Sequence, residues 1–147
     1  MRVFTMLPMR HWREAGPFGA AAEAAGFDAL MTVELGHDVF TPLAFAALAT
    51  ERIELTPSIA VAFPRSPTVM ASQAWDLHAN SKGRFVLGLG SQVKGHNERR
   101  FGIPWSPPAP RQCLIGSIVK TRIAVHSPLR RGSRIITAEG SRATQEV

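Results

Sequence analysis

Between residues 2 and 90 the chain alternates short continuous apolar runs with longer stretches of helical spacing. The short runs fall at residues 2–8, 28–34, 53–61 and 84–90. In the fourth, Phe85 to Leu87 with Leu89 make an apolar run too short for a helix. The second, Ala29-Leu30-Met31-Thr32-Val33, is continuous rather than alternating, as expected of a strand covered on both faces. Three helices are predicted between the runs. The first lies between Pro17 and Gly26, over an alanine-rich stretch. The second opens at Thr41-Pro42 and continues to Thr50; the third opens at Ser66-Pro67. Both starts place a hydroxyl where free amides need an acceptor and a proline where no amide partner is required. In the third, Val69, Met70, Ala74 and Leu77 with Trp75 give an inward face, and Gly83 stops the helix.

Strand and helix in strict alternation call for a parallel sheet with right-handed crossovers, either doubly wound or part of an eight-stranded barrel. After residue 93 the pattern changes. Gly95, Gly102, Pro104, Pro107, Pro108 and Pro110 predict a long excursion at the carboxyl end of the fourth strand, with one helical turn at residues 97–101. Beyond residue 111 no sustained helical period and no firm strand are legible; residues 114–125 contain enough Ile and Val for weak pairing.

Charge sharpens that boundary. Residues 1–110 carry ten Lys plus Arg against nine Asp plus Glu, whereas residues 111–147 carry seven against two, so five of the six net positive charges lie in the last quarter. A basic tail on a near-neutral body is a nucleic-acid arm or a segment foreign to the body's fold. The absence of interleaved aromatics makes nucleic acid the weaker reading. The 147 residues suffice for one ordinary domain. No apolar run approaches a membrane span and the amino terminus is too short for a secretory signal, so a cytoplasmic location is expected. One cysteine, Cys113, precludes an internal disulfide and has no metal-ligand spacing around it.

Candidate chemistry gathers at the carboxyl ends of the predicted strands, where ligands of parallel sheets bind. Gly88 and Gly90 remove side chains from the end of the fourth strand. They make a cofactor wall or simply allow backbone to pack on backbone. Glu34 and His37 follow the second strand; they can polarise a bound ring or substrate, or be solvated loop residues with Asp38 capping the next helix. Pro57 donates no ladder hydrogen bond, so the third strand is expected to bulge near Pro57-Ser58-Ile59. Gly88-Leu89-Gly90-Ser91-Gln92-Val93 starts like a dinucleotide fingerprint but puts Val93 at the third glycine and lacks the later acidic residue, which excludes a standard NAD site. Lys94, His96, Arg99 and Arg100 form a basic group suited to a phosphate or an acidic cofactor tail, or a solvated face. His11, His78 and His126 read as structural or surface residues.

Ser81-Lys82-Gly83-Arg84-Phe85 with Leu87-Gly88-Leu89-Gly90, preceded by Ala74-Trp75-Asp76-Leu77, resembles the SGGRF-x-LGLG signature of the bacterial luciferase-like monooxygenases and deazaflavin-dependent oxidoreductases. Arg65-Ser66-Pro67 and residues 34–38 fall where that family has its own motifs, and residues 90–110 are similar to a subgroup that uses coenzyme F-420. The resemblance covers about residues 1–111. It implies an α/β fold, a partial TIM (β/α)8 barrel of about four N-terminal βα units with an irregular C-terminal tail. It implies a flavin or deazaflavin cofactor, coenzyme F-420 ahead of FMN, used for hydride transfer or monooxygenation of a small organic substrate. By the same resemblance Ser58, Ile59 and Ala60 lie at a bulge behind the cofactor ring, often with a non-prolyl cis peptide. Gly88, Gly90 and Ser91 line the same pocket, and Glu34 and His37 stand near ring or substrate as the catalytic pair.

A closed barrel needs on the order of 250 residues. This chain is therefore expected to be truncated or frame-shifted shortly after residue 111, dividing it into a half-barrel at 1–111 and a basic tail at 112–147. Unpaired strand edges then favour association with another chain, a homo-oligomer included. The rival expectation is a non-catalytic fragment or binding module acting through the basic tail. No metal and no membrane partner are expected.

Overall fold

The computed structural model describes residues 1–126 and 135–137. Eleven elements follow in order: β1 (Phe4–Met6), α1 (Trp12–Ala24), β2 (Ala29–Thr32), α2 (Thr41–Ala49), β3 (Glu54–Pro57), β4 (Ala60–Val61), α3 (Pro67–Asn80), β5 (Leu87–Gly90), α4 (Lys94–Phe101), α5 (Pro108–His126) and β6 (Ile135–Thr137). Strands pair in parallel throughout, in the orders β1-β2-β3 and β4-β5-β6. The two sheets are joined where Leu55 bridges Phe85: the Leu55 amide donates to the Arg84 carbonyl at 3.1 Å, and the Val86 amide to the Leu55 carbonyl at 2.9 Å. The result is an arc of barrel wall with helices on its outer side, in keeping with the expected partial (β/α)8 barrel.

Leu30, Leu55, Leu87 and Leu89 from the strands meet Leu43, Ala46, Met70 and Ala74 from α2 and α3 in one buried core. The first helix starts at Trp12, five residues before the expected Pro17, which lies inside it on an exposed turn. Packing overrides the proline because Ala15, Gly19 and Ala22 recur at helical spacing on the buried face. A Cβ on Gly19 would stand 3.2–3.3 Å from Leu30, Ala46 and Thr50, so the bare glycine sets how closely α1 approaches β2 and α2.

Capping follows the sequence at Ser66 but not at Thr41, whose hydroxyl lies inside α2 and donates to Asp38 Oδ2 at 2.8 Å instead of accepting from an amide. Asp38 Oδ2 accepts from the Phe40 and Thr41 amides at 3.1 and 2.7 Å and so opens α2, the plainer of the two readings for that residue. Ser66 Oγ accepts from the Val69 amide at 3.2 Å and opens α3. Lys82 and Gly83 turn left-handed, at φ 56° and 83°, to end α3. Arg84 then donates to the carbonyls of Ala47, Thr50, Ile53 and Ser81 and to Thr50 Oγ1, all at 2.9–3.0 Å. The arginine of the family-like signature thus ties the end of α2 to the entry of β5. Burial, opposed by Glu23 and Glu51, lowers its pKa.

Two expectations need correction. The run at residues 53–61 is two strands in different sheets, because the ladder with β2 ends at Pro57 and pairing with β5 begins at Ala60. The stretch after residue 93 is mostly regular: α4 has eight residues and α5 nineteen, and β6 pairs with β5. Pro108 and Pro110, which read as loop, occupy the first turn of α5, where a missing amide removes nothing. Gln112, Ile115 and Val119 are buried on one stripe of that helix, which packs on α3. The division expected at residue 111 therefore falls inside a helix. The remaining basic tail lies largely outside the described residues. Among the described residues no helix is long and apolar enough to cross a membrane.

Candidate functional site at the strand carboxyl ends

The break between β3 and β4 is the organising feature of the site. Pro57 stands in register with Thr32, and the Ser58 amide donates to the Thr32 carbonyl at 2.7 Å. The Ser58–Ile59 peptide is cis, and the chain then crosses to β5, with Ala60 opposite Leu89 and Val61 opposite Gly90. A Cβ on Gly88 would fall on the Pro57 carbonyl oxygen. One on Gly90 would come within 2.7 Å of Ile59 Cγ1 and Cδ1. The two glycines therefore receive the break itself: backbone packs on backbone at Gly88, and Gly90 makes room for the Ile59 side chain. Ser58 is exposed, Ile59 half-buried, and Ala60 buried.

Glu34 is joined to this break from the other side. Successive amides of a parallel strand point to opposite neighbours, and the Val61 amide, turned away from β5, donates to Glu34 Oε2 at 2.6 Å. Arg65 closes on the same carboxylate, with Nη1 2.8 Å from Oε2 and Nη2 2.7 Å from Oε1. Both partners are largely buried, and the two-point geometry is the strong form of the pair. Arg65 Nη2 also reaches Asp38 Oδ1 at 3.5 Å, and its guanidinium lies over the Phe40 ring. Both oxygens of Glu34 are thus engaged, Oε2 by the Val61 amide and Arg65, and Oε1 by Arg65.

His37 stands apart from that network, three residues on and exposed. It lines a cavity of about 330 Å³ with Met6, Leu7, Pro8, Met9, Val33, Leu35 and Gly36, at the carboxyl ends of β1 and β2. The lining is apolar apart from the imidazole, the composition of a small-molecule pocket with one orienting polar group. The sequence pairs Glu34 with His37; the structure gives the carboxylate to Arg65 and leaves the imidazole to the cavity.

At the exit of β5, Ser91 is buried and Gln92 adopts a left-handed φ of 58°. Asn97, fully buried, donates through Nδ2 to the Ser91 carbonyl at 2.7 Å and to the Val93 carbonyl at 3.3 Å, which fastens α4 to the end of β5. Arg100 Nη1 extends from α4 to the Glu34 carbonyl at 3.3 Å. Arg111 donates to the Ala62 and Arg65 carbonyls at 3.1 and 2.9 Å, and Phe63 stacks on Trp105 with ring centroids 5.3 Å apart. The sequence pattern assigns no role to Arg65, Asn97 or Arg111. Only Arg65 carries a signal, as part of Arg65-Ser66-Pro67, since the partners of all three are set by tertiary contact. No group of three metal-ligating side chains occurs among the described residues.

Residues 57–59 thus pack against β5 at Gly88 and Gly90, where that strand carries no side chain. The family of luciferase-like monooxygenases matches residues 1–112. An uncharacterized protein of Mycobacterium tuberculosis is 50% identical over 97 residues, which are 66% of this chain and 28% of that relative. The chain thus spans little more than a quarter of the length of the relative. Among solved structures, the coenzyme F-420 dependent tetrahydromethanopterin reductase of Methanopyrus kandleri is similar with a TM-score of 0.67 and 22% identity, over 81% of this chain and 38% of that one. The oxygenating constituent of 3,6-diketocamphane monooxygenase from Pseudomonas putida, in complex with FMN, is similar with a TM-score of 0.62 and 16% identity, over 85% of this chain and 39% of that one. These likenesses show the fold.

Proposed function

Because the chain belongs to the luciferase-like monooxygenase family, we propose that it builds the ring-facing wall of a flavin- or deazaflavin-dependent oxidoreductase acting on a small organic substrate. The observation that carries this reading is the Ser58–Ile59 break, received by Gly88 and Gly90 at the carboxyl end of the parallel strands. Ser58, Ile59 and Ala60 present backbone to one face of the ring, and Gly88 and Gly90 hold that backbone in place. Ser91 supports the same wall from the end of β5. When bound, the ring accepts or donates the hydride. Glu34 fixes the wall through the Val61 amide, and Arg65 holds Glu34. His37 faces the apolar cavity, where its imidazole orients a polar group of the substrate.

Coenzyme F-420 is our first choice of cofactor and FMN the second. The choice is supported by the resemblance of residues 90–110 to the deazaflavin-using subgroup and by the reductase among the structural neighbours. Titration of the purified chain with each cofactor, followed by ring fluorescence, tests the reading. Saturable binding, stronger for the deazaflavin and weakened by Gly90→Val, is expected. Saturable binding of neither overturns it.

A further inference from the structure

The charged groups at this end of the sheet are unequally matched. Arg65 is neutralised by Glu34 and Asp38, and Lys94 stands 3.8 Å from Glu98. Arg99 and Arg100 have no carboxylate partner among the described residues. Arg100 is nevertheless held. Its Nη1 donates to the Glu34 carbonyl across 66 positions of sequence, and its guanidinium lies over the Phe101 ring at 4.7 Å. Neither contact cancels its charge, and a guanidinium has five N–H donors, so most remain to be used. Arg99 folds its guanidinium back toward Gly95 on the same short helix. Asn97 pins that helix to the end of β5. Arg100 is exposed, yet its guanidinium is anchored through a neutral carbonyl with the charge unspent, a form suited to binding carboxylate or phosphate.

We propose that Arg100 is a receptor for an anionic group, phosphate or carboxylate, carried by the molecule that enters the mouth between β2 and β5. The inference deepens the cofactor-wall reading and rests on it for what enters the mouth. The local acids do not compete, because Arg65 and the α2 amides already engage Glu34 and Asp38.

Inorganic phosphate is the direct probe, titrated into the isotope-labelled chain while the Arg100 Nε–Hε resonance is followed. A saturable shift is expected, weaker in high salt as screening requires. Arg100→Gln should weaken phosphate binding about fivefold, and Arg100→Lys, which keeps the charge but loses the fork, should weaken it by less. No shift, or Arg100→Gln binding phosphate like the wild type, overturns the proposal. Parallel titrations with FMN and riboflavin identify the source of the anion. Tighter binding of FMN, with the advantage removed by Arg100→Gln, assigns the anion to the cofactor. Equal binding of the two with the phosphate response intact assigns it to the substrate. If neither ring binds while phosphate still does, the cofactor reading fails and the anion receptor stands. If a ring binds without any phosphate response, the cofactor reading stands and the anion receptor fails.

Discussion

Gly88 and Gly36 separate two uses of glycine in this chain. A methyl group on Gly88 would occupy the place of the Pro57 carbonyl oxygen, which is main chain and cannot swing aside, whereas a methyl on Gly36 meets nothing within 4 Å. Gly88→Ala is therefore expected to lower stability by about 3 kcal/mol, the upper range for forced overpacking, and Gly36→Ala to leave it nearly unchanged. Urea unfolding of both variants checks this, and equal midpoints would remove the glycine from its role in holding the break. Glu34→Gln probes the adjoining network. The amide oxygen still accepts from Val61, but Arg65 loses a carboxylate in a largely buried setting, so a loss of about 2 kcal/mol is expected. A stable variant would return Glu34 to the role of a chemical group. The glycines, Pro57 and Glu34 are all legible in the sequence as unusual residues. Their partners are not, because Glu34 meets Arg65 across 31 positions and Gly88 meets Pro57 across a strand pair that no local pattern specifies.

Among the elements, the turn that delivers the chain into β3 hangs on a single carboxylate from α1. Glu23 accepts from the amides of Glu51, Arg52 and Ile53, the shortest at 2.6 Å. Desolvation alone would raise its pKa, but the amides of Ile53, Arg52 and Glu51, with the charge of Arg52, outweigh it and the pKa is lowered. A carboxyl whose folded pKa is depressed adds stability above its unfolded value and loses it as pH falls through the folded one. The stability of the wild type should therefore decline as pH drops below the ordinary glutamate range, and Glu23→Gln should flatten that decline. Urea midpoints measured at several pH values check this, the Lys82–Glu51 pair being common to both proteins. Parallel curves for the two proteins would count against the assignment. At this scale the sequence is a good guide where a run is short and apolar or a cap stands beside proline, as at Ser66-Pro67. It misleads at Pro17 and Pro108 for one physical reason. Proline marks a helix start only by local preference, and the buried stripes of Ala15, Gly19 and Ala22, and of Gln112, Ile115 and Val119, decide where those helices lie, with Pro17 inside one and Pro108 at the start of the other.

For the molecule as a whole, the wall runs from β1 to β6, and the chain changes sheets where β3 gives way to β4. The break that shapes the proposed site is also where the chain passes from one sheet to the other, beside the Leu55–Phe85 bridge that joins them. The same view bears on the chain beyond residue 111. The family match ends at residue 112, yet α5 continues to His126 and lays Ile115 and Val119 on α3. Ile115 is fully buried, so Ile115→Ala should cost about 3 kcal/mol in transfer and cavity terms and should speed hydrogen exchange along α3 as well as α5. Leu114→Ala, at an exposed neighbouring position, should do neither. If Ile115→Ala unfolds at the same urea concentration as the wild type, α5 is not part of the cooperative unit, and the half-barrel ends where the family match ends.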